Sequence, residues 1–237
     1  MRYISCNSGG KDSMAQTIVA IENSEPLDEN VWCEVMFDTD ISGEVPEHRD
    51  FMYEVAIPKL KSEYGIKTKV IRAEKTMIDM FYHVITKGES IGKLRGFPIP
   101  GKCHVNRDLK INPMRDYFNS IPGDVIQYVG IAIDEPKRLA RLKPGRVSIL
   151  AKYGITELMA TEISTARGLY SPSYEFSKRN GCFFCPNANE RQLRHLYENH
   201  RDLWEMLLEL QSTPNLAYHA WARGVSLFDY DRLFKGL

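Results

Sequence analysis

The first twenty residues constrain this chain more than any other stretch. Arg2-Tyr3-Ile4-Ser5-Cys6 reads as a short buried strand, Gly9-Gly10 as a tight turn, and Met14 to Ile21 as an apolar helix. A glycine pair at a strand-to-helix junction lets the backbone turn sharply and gathers several N–H groups at one point. The helix behind it adds unbonded N–H donors and the positive end of its dipole. Ser8-Gly9-Gly10-Lys11-Asp12-Ser13 fills the junction, with two hydroxyls and an ammonium as further donors. This is the pattern of an anion cradle. It is not a Walker A loop, because G-x-x-x-x-G-K-[ST] is absent. Asp12 is ill placed beside a bare anion and makes better sense as a helix cap or as a partner for a phosphate-bound Mg²⁺. The plain alternative is a Gly-Gly turn before a capped helix.

Downstream, strands and helices alternate. Val31 to Phe37, Lys67 to Ile71 and Val125 to Ile131 read as strands. His48 to Tyr64 carries Phe51, Val55, Ile57 and Leu60 at helical spacing and stops at Gly65, and Met77 to Ile85 reads as another helix. Such alternation predicts an α/β fold, a parallel sheet with helices on both faces. Residues 88–103 are rich in glycine and proline and form a long loop, and residues 136–153 are basic and irregular. Asn187 to Leu210 is helical, with Leu193, Leu196, Leu203, Trp204 and Leu207 on one stripe. A boundary near residue 150 is expected. Residues 1–150 form the α/β domain that carries the cradle, and 151–237 a smaller helical segment that carries a cysteine pair.

With 237 residues the chain can bury a core without staples. Lys+Arg and Asp+Glu are equal at 31 each, so no global field draws the protein to nucleic acid or membrane, and any such contact must be a local patch. No apolar run spans a bilayer and no signal-peptide pattern precedes the first strand, so a cytoplasmic protein is expected. There, five cysteines point to metal or catalysis rather than disulfides.

The loop resembles the S-G-G-x-D-S signature of the PP-loop ATP pyrophosphatases, the superfamily of tRNA thiolases, GMP synthetase and PAPS reductase. The resemblance implies the adenine nucleotide alpha hydrolase-like sheet. It also implies ATP (or APS or PAPS) with Mg²⁺ held by Ser8, Gly9, Gly10, Lys11, Asp12 and Ser13. Lys11 and Asp12 then act on the phosphates. Phe37-Asp38-Thr39-Asp40 and Glu44-Val45-Pro46-Glu47 resemble the F-x-D-T-G…P-E-T stretch of PAPS reductases, with Asp40 in place of Gly and His48 in place of Thr. Asp38 would then face the nucleotide or a metal ion as a third catalytic residue; otherwise Asp38 and Thr39 cap a turn. Gly130 to Glu135, followed by Arg138 and Arg141, resembles the segment that lines the PAPS reductase substrate site. Those arginines could make bidentate contacts with phosphate or sulfate, or lie on a solvated loop.

Cys182-Phe183-Phe184-Cys185 is a C-x-x-C, suited to a metal or a redox pair. With Cys103-His104 far upstream, it resembles the Cys-Cys…C-x-x-C set that holds a 4Fe-4S cluster in assimilatory APS reductases, with one thiolate missing. Three cysteines still suffice for such a cluster in some PP-loop tRNA thiolases, and His104 is the candidate for the fourth position. Cys₃His also suits structural Zn²⁺, and three unrelated buried thiols are the plain alternative. Cys6 and Cys33 fall in strands and are expected in the core. Leu109-Lys110-Ile111-Asn112-Pro113, and Leu169 to Glu175 with Arg179 to Cys182, resemble PAPS reductase-like proteins of phage and mobile elements. The likeness runs discontinuously from residue 3 to about 205.

Thiol-dependent sulfonucleotide reductases use a cysteine near the C-terminus, and none follows Cys185 here. The leading expectation is therefore an enzyme that adenylates an acceptor, for sulfur transfer to a nucleic acid, nucleobase or small molecule. The alternatives are an APS/PAPS reductase with an altered thiol, and a non-catalytic nucleotide-binding module with a structural metal. A homodimer stays open.

Overall fold

The computed structural model describes residues 1–101, 103–222 and 224–237. The chain forms two compact units from interleaved stretches. The first comprises Met1–Glu34, Pro46–Ile71 and Pro113–Tyr174; the second comprises Val35–Val45, Arg72–Asn112 and Glu175–Leu237.

The first unit is built on five parallel strands: β1 (Arg2–Cys6), β2 (Glu29–Cys33), β3 (Thr68–Ile71), β4 (Val125–Val129) and β5 (Arg146–Val147). Their order is β3-β2-β1-β4-β5. Ile4 in β1 lies opposite Glu29 on one side and Gln127 on the other. The chain therefore builds outward in one direction through β2 and β3, and in the other through β4 and β5. The reversal between β1 and β4 is where an open α/β sheet offers a crevice beyond its strand ends.

Helix α1 (Lys11–Glu22) is buried at every residue from Ser13 to Ala20. Such all-round burial marks a helix packed on both sides. Met14 and Ile18 pack with Trp32, Phe51, Met52, Leu60 and Leu169, whereas Ala15, Val19 and Ala20 pack with Tyr128, Ile149, Leu150 and Ala160. Residues 46–62 are helical, with a π segment at Phe51–Ala56. They end before Gly65, whose φ of +68° suits glycine.

A second helix of this unit, α2 (Glu157–Ala166), brings Ala160 and Ile163 into the cluster around Ala15 and Val19. The expected boundary near residue 150 therefore does not divide the units. The stretch 151–174 finds its apolar partners on α1, and the second unit draws in 35–45 and 72–112. β2 and β4 also stop short of the expected Phe37 and Ile131. After Cys33 and Glu34 the apolar run Val35-Met36-Phe37 packs in the second unit.

In the second unit α3 (Glu190–Asn199), α4 (Arg201–Gln211) and α5 (Leu227–Lys235) surround Trp204, Trp221, Phe81, Phe97, Leu193, Leu196, Leu203 and Leu207. The single helix expected over 187–210 is two, broken at His200 with φ −134° and ψ 62°. The helix expected to reach Ile85 ends at Phe81, and Val84 instead bridges to Leu94. Within 136–153 the basic stretch holds short helices at Pro136–Leu139 and Ile149–Lys152 around β5. Among the described residues no helix is long and apolar enough to cross a membrane.

Candidate functional site

The loop after β1 has the geometry that its composition predicts. Gly9 adopts φ +74°, and a Cβ there would lie 2.4 Å from the Met52 sulfur and 2.5 Å from His48 Cε1. Inside the loop Gly9 N–H donates to Asn7 Oδ1 at 2.8 Å and Ser8 N–H to Ser13 Oγ at 3.2 Å. Lys11 N–H donates to the Tyr174 hydroxyl at 3.1 Å. The N–H groups of Gly10, Asp12 and Ser13 meet no acceptor among the described residues. Three free donors at a helix start, backed by the dipole, are an arrangement able to accept an anion.

Gly130, just beyond β4, faces the same loop. A Cβ on it would lie 2.8 Å from Ser13 N and 2.9 Å from the Asp12 carbonyl carbon. The β1 loop and the β4 exit thus touch backbone to backbone at the point where the strand order reverses. Beside them is a cavity of about 330 Å³ lined by Gly130, Arg138, Arg141 and Arg146. Arg138 is held by Glu135 at 2.6 Å. The basic stretch therefore gathers cations at the end of β4.

Asp12 is not the helix cap. Gly10 occupies that position, with no side-chain cap bond. Asp12 instead accepts from Lys11 Nζ at 2.6 Å, and Nζ also reaches Glu157 at 3.3 Å. Burial pushes the Asp12 carboxyl up against the pull of Lys11. For Lys11 burial acts downward, but the Asp12 and Glu157 carboxylates outweigh it and hold the ammonium above its ordinary range. Lys11 stays charged.

His48 was not singled out as a site residue, and it underpins the loop. The ring is fully buried; Nε2 lies 3.0 Å from the Ser8 carbonyl and Nδ1 3.0 Å from Ser171 Oγ. The Ser8 carbonyl can only accept, so Nε2 carries the proton and Nδ1 accepts from Ser171. An apolar side chain there would take this donor from the Ser8 carbonyl and leave the Ser171 hydroxyl with Ser173 alone. The substitution of histidine for the threonine of the P-E-T pattern was the visible signal.

Asp38 lies in the second unit, where its Oδ1 accepts from Thr39 N–H at 2.8 Å. It caps its own turn. The cysteines lie in the same unit. Cys103, His104, Cys182 and Cys185 line one cavity of about 770 Å³, together with the cations Arg107, Lys110 and Arg179. The C-x-x-C closes on itself through Cys185 N–H to the Cys182 carbonyl at 3.1 Å. Residues 43–45 strap it in place: Phe183 N–H donates to the Gly43 carbonyl and Val45 N–H to the Gly181 carbonyl, both at 3.0 Å. Gly43 must be small, because a Cβ would lie 2.8 Å from both the Phe184 ring and the Val35 carbonyl.

The donor set suits a thiophilic metal. Burial pushes the Cys182 and Cys185 thiols up, so without a metal they are protonated, and a metal would displace the protons. Burial, with Arg95 next, pushes His104 down to about 4, so its ring is neutral at pH 7. Among the described residues its Nε2 is buried without a hydrogen-bond partner, as is Glu44 Oε1. Cys6, by contrast, is a half-buried thiol on β1 rather than the core residue expected, pushed up to about 12 by burial, and Cys33 is buried.

No protein-family model matches the chain, and no curated protein matches it. A solved structure of the U34-tRNA thiolase NcsA from Methanococcus maripaludis, with its [4Fe-4S] cluster, aligns over all of this chain and 72% of its own length. The identity is 16% and the TM-score 0.42.

Proposed function

We propose that this protein is an enzyme that binds the phosphates of an adenine nucleotide on Ser8–Ser13 and transfers the adenylyl group to an acceptor. The observation that carries the reading is the set of free N–H groups at Gly10, Asp12 and Ser13, opposite Gly130 at the reversal of strand order. In this reading an acceptor oxygen attacks the α-phosphorus of ATP, its bond to the bridging oxygen breaks, and pyrophosphate leaves with the charge. The loop amides and Lys11 stabilise that developing charge from fixed positions. Asp12 would be the residue to hold the Mg²⁺ that accompanies ATP, which would free Lys11 for the phosphates, and Arg138 and Arg141 would hold an anionic part of either substrate.

Cys103, Cys182 and Cys185 would hold a 4Fe-4S cluster, with His104 as the candidate fourth ligand. The cluster is preferred to a Cys₃His zinc site on the resemblance of Cys103 and Cys182-Phe183-Phe184-Cys185 to the ligand sets of Fe–S-bearing PP-loop proteins. Such a cluster would supply a site for the sulfur of a transfer reaction. The acceptor would then be a nucleic acid, a nucleobase or a small molecule.

The expected products of ATP turnover are AMP and pyrophosphate, measured by ion-exchange chromatography with trial acceptors. Formation of ADP and phosphate instead would remove the adenylation mechanism.

A further inference from the structure

Two ties fasten residues 170–174 to the phosphate loop. One runs from the Ser8 carbonyl through His48 to Ser171 Oγ, which lies 2.9 Å from Ser173 Oγ. The other is the Tyr174 hydroxyl, which accepts from Lys11 N–H at 3.1 Å and would lie 3.2 Å from a Cβ on Gly10. The Tyr174 ring cannot swing away freely, because it stacks on Tyr170 with centroids 4.7 Å apart and planes at 24°. Ser164 Oγ–H in turn donates to the Lys11 carbonyl at 2.8 Å, so the peptide that Tyr174 touches is fixed on both sides.

A phenol has one proton to give and oxygen lone pairs to receive with. Tyr174 uses its oxygen as an acceptor towards Lys11, and its proton meets no acceptor among the described residues. Burial keeps that proton on at neutral pH. The hydroxyl therefore stands at the helix start as a donor without a partner, beside the three amides that also lack one.

We propose that the Tyr174 hydroxyl is a direct ligand of the anion in this loop, donating its proton to a phosphate oxygen while it accepts from Lys11 N–H. The site then offers an oligophosphate four donors instead of three, and the fourth comes from a rigid side chain. Such a donor is preorganised and strengthens as charge builds on the leaving pyrophosphate. This rests on the phosphate-loop reading above.

Tyr174→Phe keeps the ring and its stacking and removes only the hydroxyl. Calorimetry with ATP, pyrophosphate and adenosine separates the roles, with circular dichroism as the check on folding. For the variant, affinity for ATP and for pyrophosphate is expected to fall about 10- to 100-fold, the range for losing a hydrogen bond to a charged group. Affinity for adenosine, which has no phosphate, should not change. Unchanged or tighter binding of ATP and pyrophosphate by the folded variant overturns the proposal, since the hydroxyl would then be idle or in the way. An equal loss for adenosine also overturns it, because the effect would be a general deformation. If the unaltered protein binds neither ATP nor pyrophosphate, the phosphate-loop reading itself fails and takes this inference with it.

Discussion

Gly130→Ala is expected to cost about two orders of magnitude in ATP affinity while leaving the sheet folded. The added methyl carbon would sit 2.8 Å from the Ser13 nitrogen, 2.9 Å from the Asp12 carbonyl carbon and 3.0 Å from its oxygen. All three are backbone atoms, so no side chain can rotate to make room, and the loop must move by several tenths of an ångström. That movement falls on the amides of Asp12 and Ser13, two of the three free donors. Hydrogen bonds to a charged group are worth about 1.5–3 kcal/mol each, so weakening two of them together can cost about 100-fold. Overpacking typically costs about 1–3 kcal/mol of stability, which a chain of 237 residues can absorb. Calorimetry with ATP, beside thermal unfolding, measures both effects. A folded variant that binds ATP as tightly as the original would show that the β4 exit does not shape the cradle.

Cys182→Ala is expected to strip the protein of its metal. Anaerobically prepared protein should be brown, with iron and sulfide near four per chain. In the variant both should fall below about one, because two thiolates and a neutral imidazole hold a cluster poorly. Cys182 sits in the middle of the strap, opposite Glu44, so its backbone is fixed whatever side chain it carries. The loss would therefore report the missing sulfur rather than an unfolded loop. Cys6→Ala, on β1 of the first unit, serves as the control and should keep its iron. Equal iron in all three proteins would separate the metal from these residues. A colourless original with one zinc would convert the cluster into a structural site.

The α/β class and the cradle were legible because both are written in local pattern. Strand, Gly-Gly turn and apolar helix follow one another without interruption, and Gly9 needs its positive φ for reasons visible in the residue type. The C-x-x-C was legible for the same reason. The division of the chain was not. Val35-Met36-Phe37 looks like the continuation of a strand, yet its apolar side chains belong to another core. Helix α2 looks like the start of a C-terminal segment, yet Ala160 and Ile163 cover α1. An apolar face shows only that it will be buried, and long-range contacts choose its partner. The same limit hid how His48, Tyr174 and Gly130 reach the loop. Each acts on the loop across many residues of chain, and only the fold brings them to it.

A crystal of the protein grown or soaked with ATP and Mg²⁺ addresses the central claim most directly. The account predicts phosphate oxygens within about 3 Å of the amide nitrogens of Gly10, Asp12 and Ser13. Nucleotide bound elsewhere, with those three amides still lacking a partner, would contradict it.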